Sequence, residues 1–568
     1  MKKSAVAVVL SFVTAGAVVG AIFGSGVQAK VDRYTEFLRR YTHVLRLVEE
    51  QYVSDVDPKD LVHASIRGML RKLDPHSNFL PKQEYTQLQE RQQGSYHGLG
   101  ITVQMREGNL TVISPFEGTP AYRLGIRSGD IISRIEGVST HGVELDDAVK
   151  KLRGPKGSEV TISITRVGYE EPLDFTIVRD KIDLRSVPYA FLLDDDTGYL
   201  RISDFTETTD RELHENLVEL QMAGARDLVL DLRDNPGGLL DQAVLVSNTF
   251  LEKGALVVYT DGRTEGSDVK YVAEQASSHA DMPVVVLVSR GSASASEIVS
   301  GAIQDHDRGL IVGETTFGKG LVQSIYRISE GNGLALTTAA YFTPSGRSIQ
   351  REYSTGSFDD YYYDARSEER GAPEGEVKYT DAGREVHSGG GIAPDIHASY
   401  PRLPEEVLAL NATNAFFRYT TRFAAKDDRR VLEGAGIQPK EIRTARPSDI
   451  RLINKDFRVD DEVLADFFQF LDDEEISYSS EELAPHRDRL ARRIEVEIFN
   501  AIWGAEAAQT VAVEYDPQVI AAIEAMPRSR SLLEDPVAFL ASPEGGGEMA
   551  PGDEASDDTA AASSESPR

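Results

Sequence analysis

The 568-residue chain contains no cysteine. That absence removes disulfides, thiolate nucleophiles and cysteine-held zinc or iron–sulfur sites. It fits an oxidising compartment without establishing one. Positive charge is also scarce: 61 Lys and Arg stand against 92 Asp and Glu, a formal net charge of −31. A surface of that sign repels phosphate, which argues against nucleic acid or anionic lipid as the main partner. No Walker phosphate loop and no His-Glu-x-x-His pair occurs, so neither nucleotide nor metal is implied as a cofactor. The 11 histidines are scattered outside any triad motif, and neither a Gly-x-Ser-x-Gly nor a Gly-Asn-Ser-Gly-Gly nucleophile loop is found. There is no fixed-period repeat.

What is present is ordinary in bulk: 40% hydrophobic and 27% charged residues, in a chain long enough for two or three domains. At the N-terminus, Lys2 and Lys3 precede an apolar run from Ala5 to about Phe23, and Val27-Gln28-Ala29 offers a cleavage site. Residues 1–29 therefore read as a signal peptide, or as an uncleaved membrane anchor, since the run is nearly long enough to span a bilayer. Either reading places the rest of the chain outside the cytoplasm.

Residues 32–93 read as helical, with Tyr34, Leu38, Tyr41, Val44, Leu45 and Val48 forming an amphipathic stripe. Residues 96–180 carry strand signals punctuated by Gly and Pro, with short helices at Pro120–Leu124 and Leu145–Leu152. From about Val187 to residue 400, apolar strands alternate with helices, as at Leu228–Asp231 followed by Leu239–Phe250 and at Val284–Val288 followed by Ser296–Gln304. That pattern predicts βα units and a mostly parallel, buried sheet. Residues 354–390 read as an exposed insertion, 404–541 as a helical C-terminal region, and 542–568 as a disordered acidic tail. Leu and Phe stripes in such helices are more often plain core than an interface.

Three segments carry candidate chemistry. Gly291-Ser292-Ala293-Ser294-Ala295-Ser296-Glu297 lies between an apolar strand and a helix, where open α/β sheets place reactive groups and helix N–H groups favour negative charge. A second reading makes these serines N-caps only. A serine nucleophile needs a base within reach. Thr316-Phe317-Gly318-Lys319-Gly320 offers a lysine between two glycines, with backbone packed closely on both sides, although most such triplets are solvated turns. A lysine of ordinary pKa, about 10.4, is neutral at pH 7 in only about one molecule in 2,500. Burial has to bring it near neutrality, at a differential cost of about 4 kcal/mol. Finally, Asp231-Leu-Arg-Asp-Asn235-Pro236-Gly237-Gly238 turns from a strand into a helix. Its glycine amides could point two N–H groups at one oxygen, as an oxyanion hole requires, or simply make a connection.

In this order the segments resemble the carboxyl-terminal processing (tail-specific) peptidase family of serine proteases. Leu73-Asp-Pro-His-Ser77, Gly98-Leu-Gly-Ile101, Gly313–Gln323, Thr343-Pro-Ser-Gly-Arg-Ser-Ile349 and Gly391-Ile-Ala-Pro-Asp395 share in the likeness, which covers about residues 35–400. The resemblance implies a mixed α/β, ClpP/crotonase-like protease core with an inserted PDZ β-rich domain and helical N- and C-terminal segments. It also implies Ser294 as nucleophile, Lys319 as base and Gln323 as the residue that orients the lysine. The oxyanion hole would use the Ala295 amide and one of Gly237 and Gly238. Ser292 and Ser296 compete with Ser294 on chemical grounds, and only the family spacing to Lys319 selects Ser294. Leu99, Gly100 and Ile101 would bind a substrate C-terminus through backbone N–H groups, and Arg153 is a candidate gating contact. The implied partners are proteins or peptides with accessible C-termini, with an activating partner and self-association left open. The implied location is the bacterial periplasm or cell envelope, with or without an inner-membrane anchor. Two rivals stand beside this reading: an inactive PDZ-bearing adaptor, and thioester chemistry on a similar fold.

Overall fold

The computed structural model describes residues 34–353, 361, 375–400, 403–425 and 457–542. The expected leader or anchor and the acidic tail beyond Ser542 lie outside these residues. No helix among the described residues is long and apolar enough to cross a membrane. The chain divides into two units, residues 1–82 with 324–336 and residues 83–323 with 337–568.

In the first unit, residues 34–51 and Pro58–Leu70 are helical. Asp57 caps the second helix through its side chain, which accepts from the Lys59 amide at 2.8 Å, and Pro58 sits where a missing N–H costs nothing. Strand Asn78–Leu80 pairs antiparallel with Gly333–Ala335. The Leu73–Ser77 motif is a structural turn. Its Asp74 carboxylate accepts from the amides of His76 (2.8 Å) and Ser77 (2.6 Å) and from the Ser77 hydroxyl (2.7 Å). The expected stripe on the first helix is exposed, with Tyr34 at 68% and Leu38 at 63%.

The second unit is organised by a six-stranded sheet. Its strands are β1 (Tyr189–Leu192), β2 (Thr197–Arg201), β3 (Asp227–Asp231), β4 (Val284–Val288), β5 (Leu310–Gly313) and β6 (Ile396–His397), and they lie side by side in chain order. The first pair is antiparallel and the rest are parallel. Strands that advance in one direction with right-handed crossovers put every crossover helix on the same face. Accordingly α1 (Thr209–Ala223), α2 (Leu240–Phe250) and α3 (Ala295–Asp305) pack with Leu228, Leu230, Val284, Val286 and Val288 in one core.

The alternate residues of those strands, Val229, Val285, Leu287 and Val312, point the other way and need a second cover. The C-terminal region supplies it. After α4 (Ala505–Glu514), helix α5 (Pro517–Glu534) lays Val519, Ala522, Ala525, Met526 and Leu532 against that face. The Ser529 hydroxyl adds a bond to the Val284 carbonyl at 2.8 Å. Burial on both faces is why Val284–Val288 reads as an unbroken apolar run. Residues 403–423 and 457–502 form a separate helical cluster around Phe416, Tyr419, Phe467 and Ile494.

Between incoming strand Ser95–Gly98 and outgoing strand Asp180–Asp183, which pair antiparallel, the chain makes a second β module. Strands Ile101–Arg106, Asn109–Pro115, Ile131–Ile135, Glu159–Thr165 and Leu173–Val178 form its sheet, with helix Leu145–Leu152 alongside. Its core includes Leu110, Ile132, Ile162 and Ile177, all fully buried. A bidentate ion pair, Arg166 to Asp130 at 2.6 Å through both contacts, is buried beside it.

Of the segment read as an exposed insertion, residues 354–374 other than 361 lie outside the described residues, and residues 375–390 hold a hairpin, Val377–Tyr379 with Glu385–His387, with Val377 and Tyr379 exposed. Arg384 fastens it, donating to Asp307 and Asp395 at 2.6 Å each and to the Gln304 carbonyl at 2.9 Å. Its polar composition resembles a loop because the anchoring is ionic rather than apolar.

Candidate active site

Strand β4 ends in a small-residue loop that opens α3. Of its three serines, two are fasteners. Ser292, fully buried, donates to the Leu232 carbonyl at 2.8 Å, and Ser296, also fully buried, donates to the Asn235 carbonyl at 2.9 Å. Both tie this loop to the turn after β3, as does the Ala293 amide on the Asn235 carbonyl at 2.9 Å. Ser294 differs. It is half-buried, stands at the N-cap of α3, and holds φ 55°, ψ −112°, a conformation that a residue with a side chain adopts only under constraint. Such strain at a strand-to-helix turn is how a hydroxyl is kept clear of the sheet.

Glu297, three residues on, holds the Ser294 amide. Its carboxylate is fully buried and accepts four bonds. Ser294 N and Lys319 N donate to Oε2 at 2.8 and 2.9 Å, and the Thr316 hydroxyl and Gly318 N donate to Oε1 at 2.6 and 2.7 Å. Burial pushes its carboxyl above the ordinary range while the four donors pull it back. The Tyr341 hydroxyl closes the same pair of residues from the other side, bonding to the carbonyl oxygens of Ser294 and Lys319. It is fully buried, and burial raises its pKa well above the usual value, so it stays a donor.

Lys319 is half-buried in a loop fixed at both ends. Phe317 N donates to the Ser292 carbonyl at 2.9 Å, Thr316 N to the Ile392 carbonyl at 3.0 Å, and Gly320 N to Gln350 Oε1 at 2.9 Å. The glycines on each side lie against backbone, as their sequence context predicts: a Cβ at Gly320 would stand 3.0 Å from Gln350 N. Gln323 follows on the outgoing strand, half-buried, with its amide 3.4 Å from the Leu321 carbonyl.

The turn after β3 is pressed against the serine loop. A Cβ on Gly237 would lie 2.7 Å from the Ser294 Cβ and 2.8 Å from Ala295 N, and one on Gly238 would lie 2.1 Å from the Phe205 carbonyl oxygen. Only glycine fits at either place. Gly237 N donates to Asn235 Oδ1 at 2.9 Å. The Gly238 N–H has no partner among the described residues.

In the β module, the carbonyls of the Leu99-Gly100-Ile101 loop are occupied. Ala121 N donates to Leu99 O at 3.1 Å, and Phe116 N to Gly100 O at 2.9 Å. The N–H groups of Leu99 and Gly100 have no partner among the described residues. Arg153, at the end of helix Leu145–Leu152, donates to Glu90 at 2.6 Å and lies over the Tyr96 ring. It joins the module to the helix and strand that lead into it.

The sequence profile of peptidase family S41 matches residues 196–358, that of the PDZ domain residues 87–165, and that of the activating protease CtpB N-terminal domain residues 23–84. The chain is 43% identical over 317 residues to a carboxy-terminal-processing protease of Bartonella bacilliformis, covering 55% of this chain and 72% of that protein. It is 34% identical over 306 residues to the carboxy-terminal processing protease CtpA of Bacillus subtilis, covering 54% of this chain and 65% of the other. Among solved structures, the photosystem II D1 C-terminal processing protease aligns at 29% identity over 55% of this chain and 89% of that one, with a TM-score of 0.32. The chain belongs to peptidase family S41, the carboxy-terminal processing serine proteases, with an inserted PDZ domain.

Proposed function

We propose that the protein is a serine endopeptidase of the cell envelope that takes hold of substrate C-terminal tails. Ser294 Oγ attacks the scissile carbonyl and neutral Lys319 accepts its proton. The tetrahedral oxyanion is held by the amides of Ala295 and Gly238; Gly238 is preferred to Gly237 because the Gly237 N–H is already engaged by Asn235. Collapse expels the amine, which leaves with the proton from Lys319, and water then hydrolyses the acyl-enzyme by the same route. Gln323 orients the lysine. The free N–H groups around Leu99, Gly100 and Ile101 take the substrate carboxylate while the tail adds as a strand. Arg153, tying the PDZ domain to Glu90 and Tyr96, is placed to sense how that domain sits.

The observation that carries this reading is the division of labour among the serines. Ser292 and Ser296 are buried fasteners, whereas Ser294 sits strained at a helix start and shares a carboxylate oxygen with Lys319. The test replaces Lys319 by Arg, which keeps the charge but does not deprotonate. The wild type should cleave a loosely folded protein with an apolar C-terminus, and Lys319→Arg should not. Full cleavage by the variant removes the lysine from the mechanism. A wild type that binds such tails without cleaving them favours an adaptor.

A further inference from the structure

Beneath the turn from Asp231 to Gly238 lies a buried ionic network that the chemistry above leaves unused. Arg233 is 6% exposed. Its Nε and Nη2 hold Asp231, at 3.0 Å to Oδ1 and 2.7 Å to Oδ2, and Asp231 Oδ2 also accepts from the Tyr199 hydroxyl at 2.6 Å. The remaining nitrogen, Nη1, donates to Asp516 Oδ2 at 2.7 Å and to Gln518 Oε1 at 2.9 Å. Both acceptors belong to the start of α5, the helix that covers the second face of the sheet. A guanidinium stripped of water stays where its partners are, because losing one leaves an uncompensated buried charge.

Two residues past Arg233 the chain is already in the turn. The Arg233 carbonyl accepts from Arg201 Nη2 at 3.1 Å, Asp234 is held at φ 58°, and the Asn235 carbonyl carries the bonds from Ala293 N and Ser296 Oγ. Asp516 divides its work between its oxygens. Oδ1 caps α5 by accepting from Gln518 N and Val519 N at 2.9 and 3.3 Å, while Oδ2 is given to Arg233.

We propose that Asp516 and Gln518 are positioning residues for the oxyanion turn: the start of α5 clamps Arg233 and so fixes the Gly238 amide relative to Ser294. This rests on the protease reading above. It makes the C-terminal helix part of the proteolytic machinery, although it lies beyond the residues matched by the S41 profile.

The selective variant is Asp516→Asn, which keeps Oδ1 for the helix cap but turns an amide towards Arg233. Gln518→Ala removes the second acceptor and leaves the cap intact, so it carries the test should the first variant not fold. Arg530→Ala is the control. Arg530 ties the same helix to Asp227, at the opposite end of β3 and about 13 Å from Asp231 along the strand. In the full chain, kcat, KM, melting temperature and affinity for a peptide aldehyde are measured with wild type and Ser294→Ala alongside. The aldehyde forms a tetrahedral adduct that needs the oxyanion hole.

Asp516→Asn and Gln518→Ala should lower kcat about 10- to 100-fold with KM within about twofold, and aldehyde affinity should fall by the same factor. Arg530→Ala should lower the melting temperature and leave kcat unchanged. The clamp is overturned if Asp516→Asn and Gln518→Ala match a working wild type in kcat and aldehyde affinity. It is equally overturned if Arg530→Ala loses as much kcat at the same loss of melting temperature. A wild type that does not cleave at all overturns the protease reading, and the clamp with it.

Discussion

The amides of Ser294 and Lys319 donate to one and the same oxygen, Oε2 of Glu297, at 2.8 and 2.9 Å. Two residues 25 positions apart are thereby referred to a single buried atom, and the Tyr341 hydroxyl bonds the carbonyls of the same two. Proton transfer between a serine and a lysine depends steeply on their separation. On the proposed mechanism, the shared carboxylate oxygen is what holds the backbones of nucleophile and base in register.

Replacing Glu297 by Gln should therefore be severe despite its equal size. A carboxamide brings N–H groups where the site supplies only donors, so at least one buried amide or hydroxyl loses its acceptor, at a cost of about 1–3 kcal/mol. Cleavage should fall about 100-fold or more, with a measurably lower melting temperature. Unchanged kcat would remove Glu297 from the positioning of the proposed nucleophile and base.

Tyr341→Phe separates the same geometry from stability. The ring and its packing stay, and only the bridging hydroxyl is lost, leaving two carbonyls that lose one bond each. The expected result is a fall in kcat of about 10-fold at a melting temperature within a few degrees of wild type, read from kinetics and thermal unfolding together.

Much of this site was legible in the sequence because its parts are local. A small-residue loop after an apolar strand, a lysine between glycines and an Asn-Pro-Gly-Gly turn each carry a signal within a few residues. Glu297 had one too, since Ser294 and Glu297 stand at the spacing of a capping box, yet nothing local says that the same carboxylate also reaches Thr316, Gly318 and Lys319. Tyr341 looked like any strand tyrosine. The second cover of the sheet was not legible. Its contacts join residues nearly 300 positions apart, and its apolar face is built of Val519, Ala522 and Ala525, side chains too small to mark a strong stripe. The hairpin at 377–387 was missed because ion pairs anchor it, and charged residues read as solvent-facing.

Acid should weaken the protease core through His279. Burial holds its imidazole below the ordinary value of 6.5, and nearby His214 and Arg308 add to the effect. The unfolded chain therefore binds this proton more readily than the folded one, so the stability present above pH 6.5 is lost as pH falls below it. The melting temperature should drop between about pH 7 and about pH 5.5, and His279→Gln should flatten that part of the profile. An identical slope in the variant would assign the acid sensitivity elsewhere.

Asp130→Ala tests whether the PDZ domain serves the chemistry or only tail capture. It leaves Arg166, 4% exposed at its side chain, buried without its carboxylate, which costs about 3–5 kcal/mol. The domain should loosen while the sheet with Ser294 stays folded. Cleavage of tail-bearing proteins should then fall much further than cleavage of a short peptide. Equal loss for both substrates would mean that the PDZ domain is needed by the catalytic centre itself.

If one serine of three is the nucleophile, comparing Ser292→Ala, Ser294→Ala and Ser296→Ala for cleavage and melting temperature on the same substrate will single it out. Ser294→Ala should abolish cleavage at a melting temperature within a few degrees of wild type, because it leaves the two buried fasteners in place. Ser292→Ala and Ser296→Ala should melt lower and keep activity in proportion to their folded fraction. Cleavage by Ser294→Ala at the wild-type rate, or abolition by either neighbour at an unchanged melting temperature, would contradict Ser294 as the nucleophile.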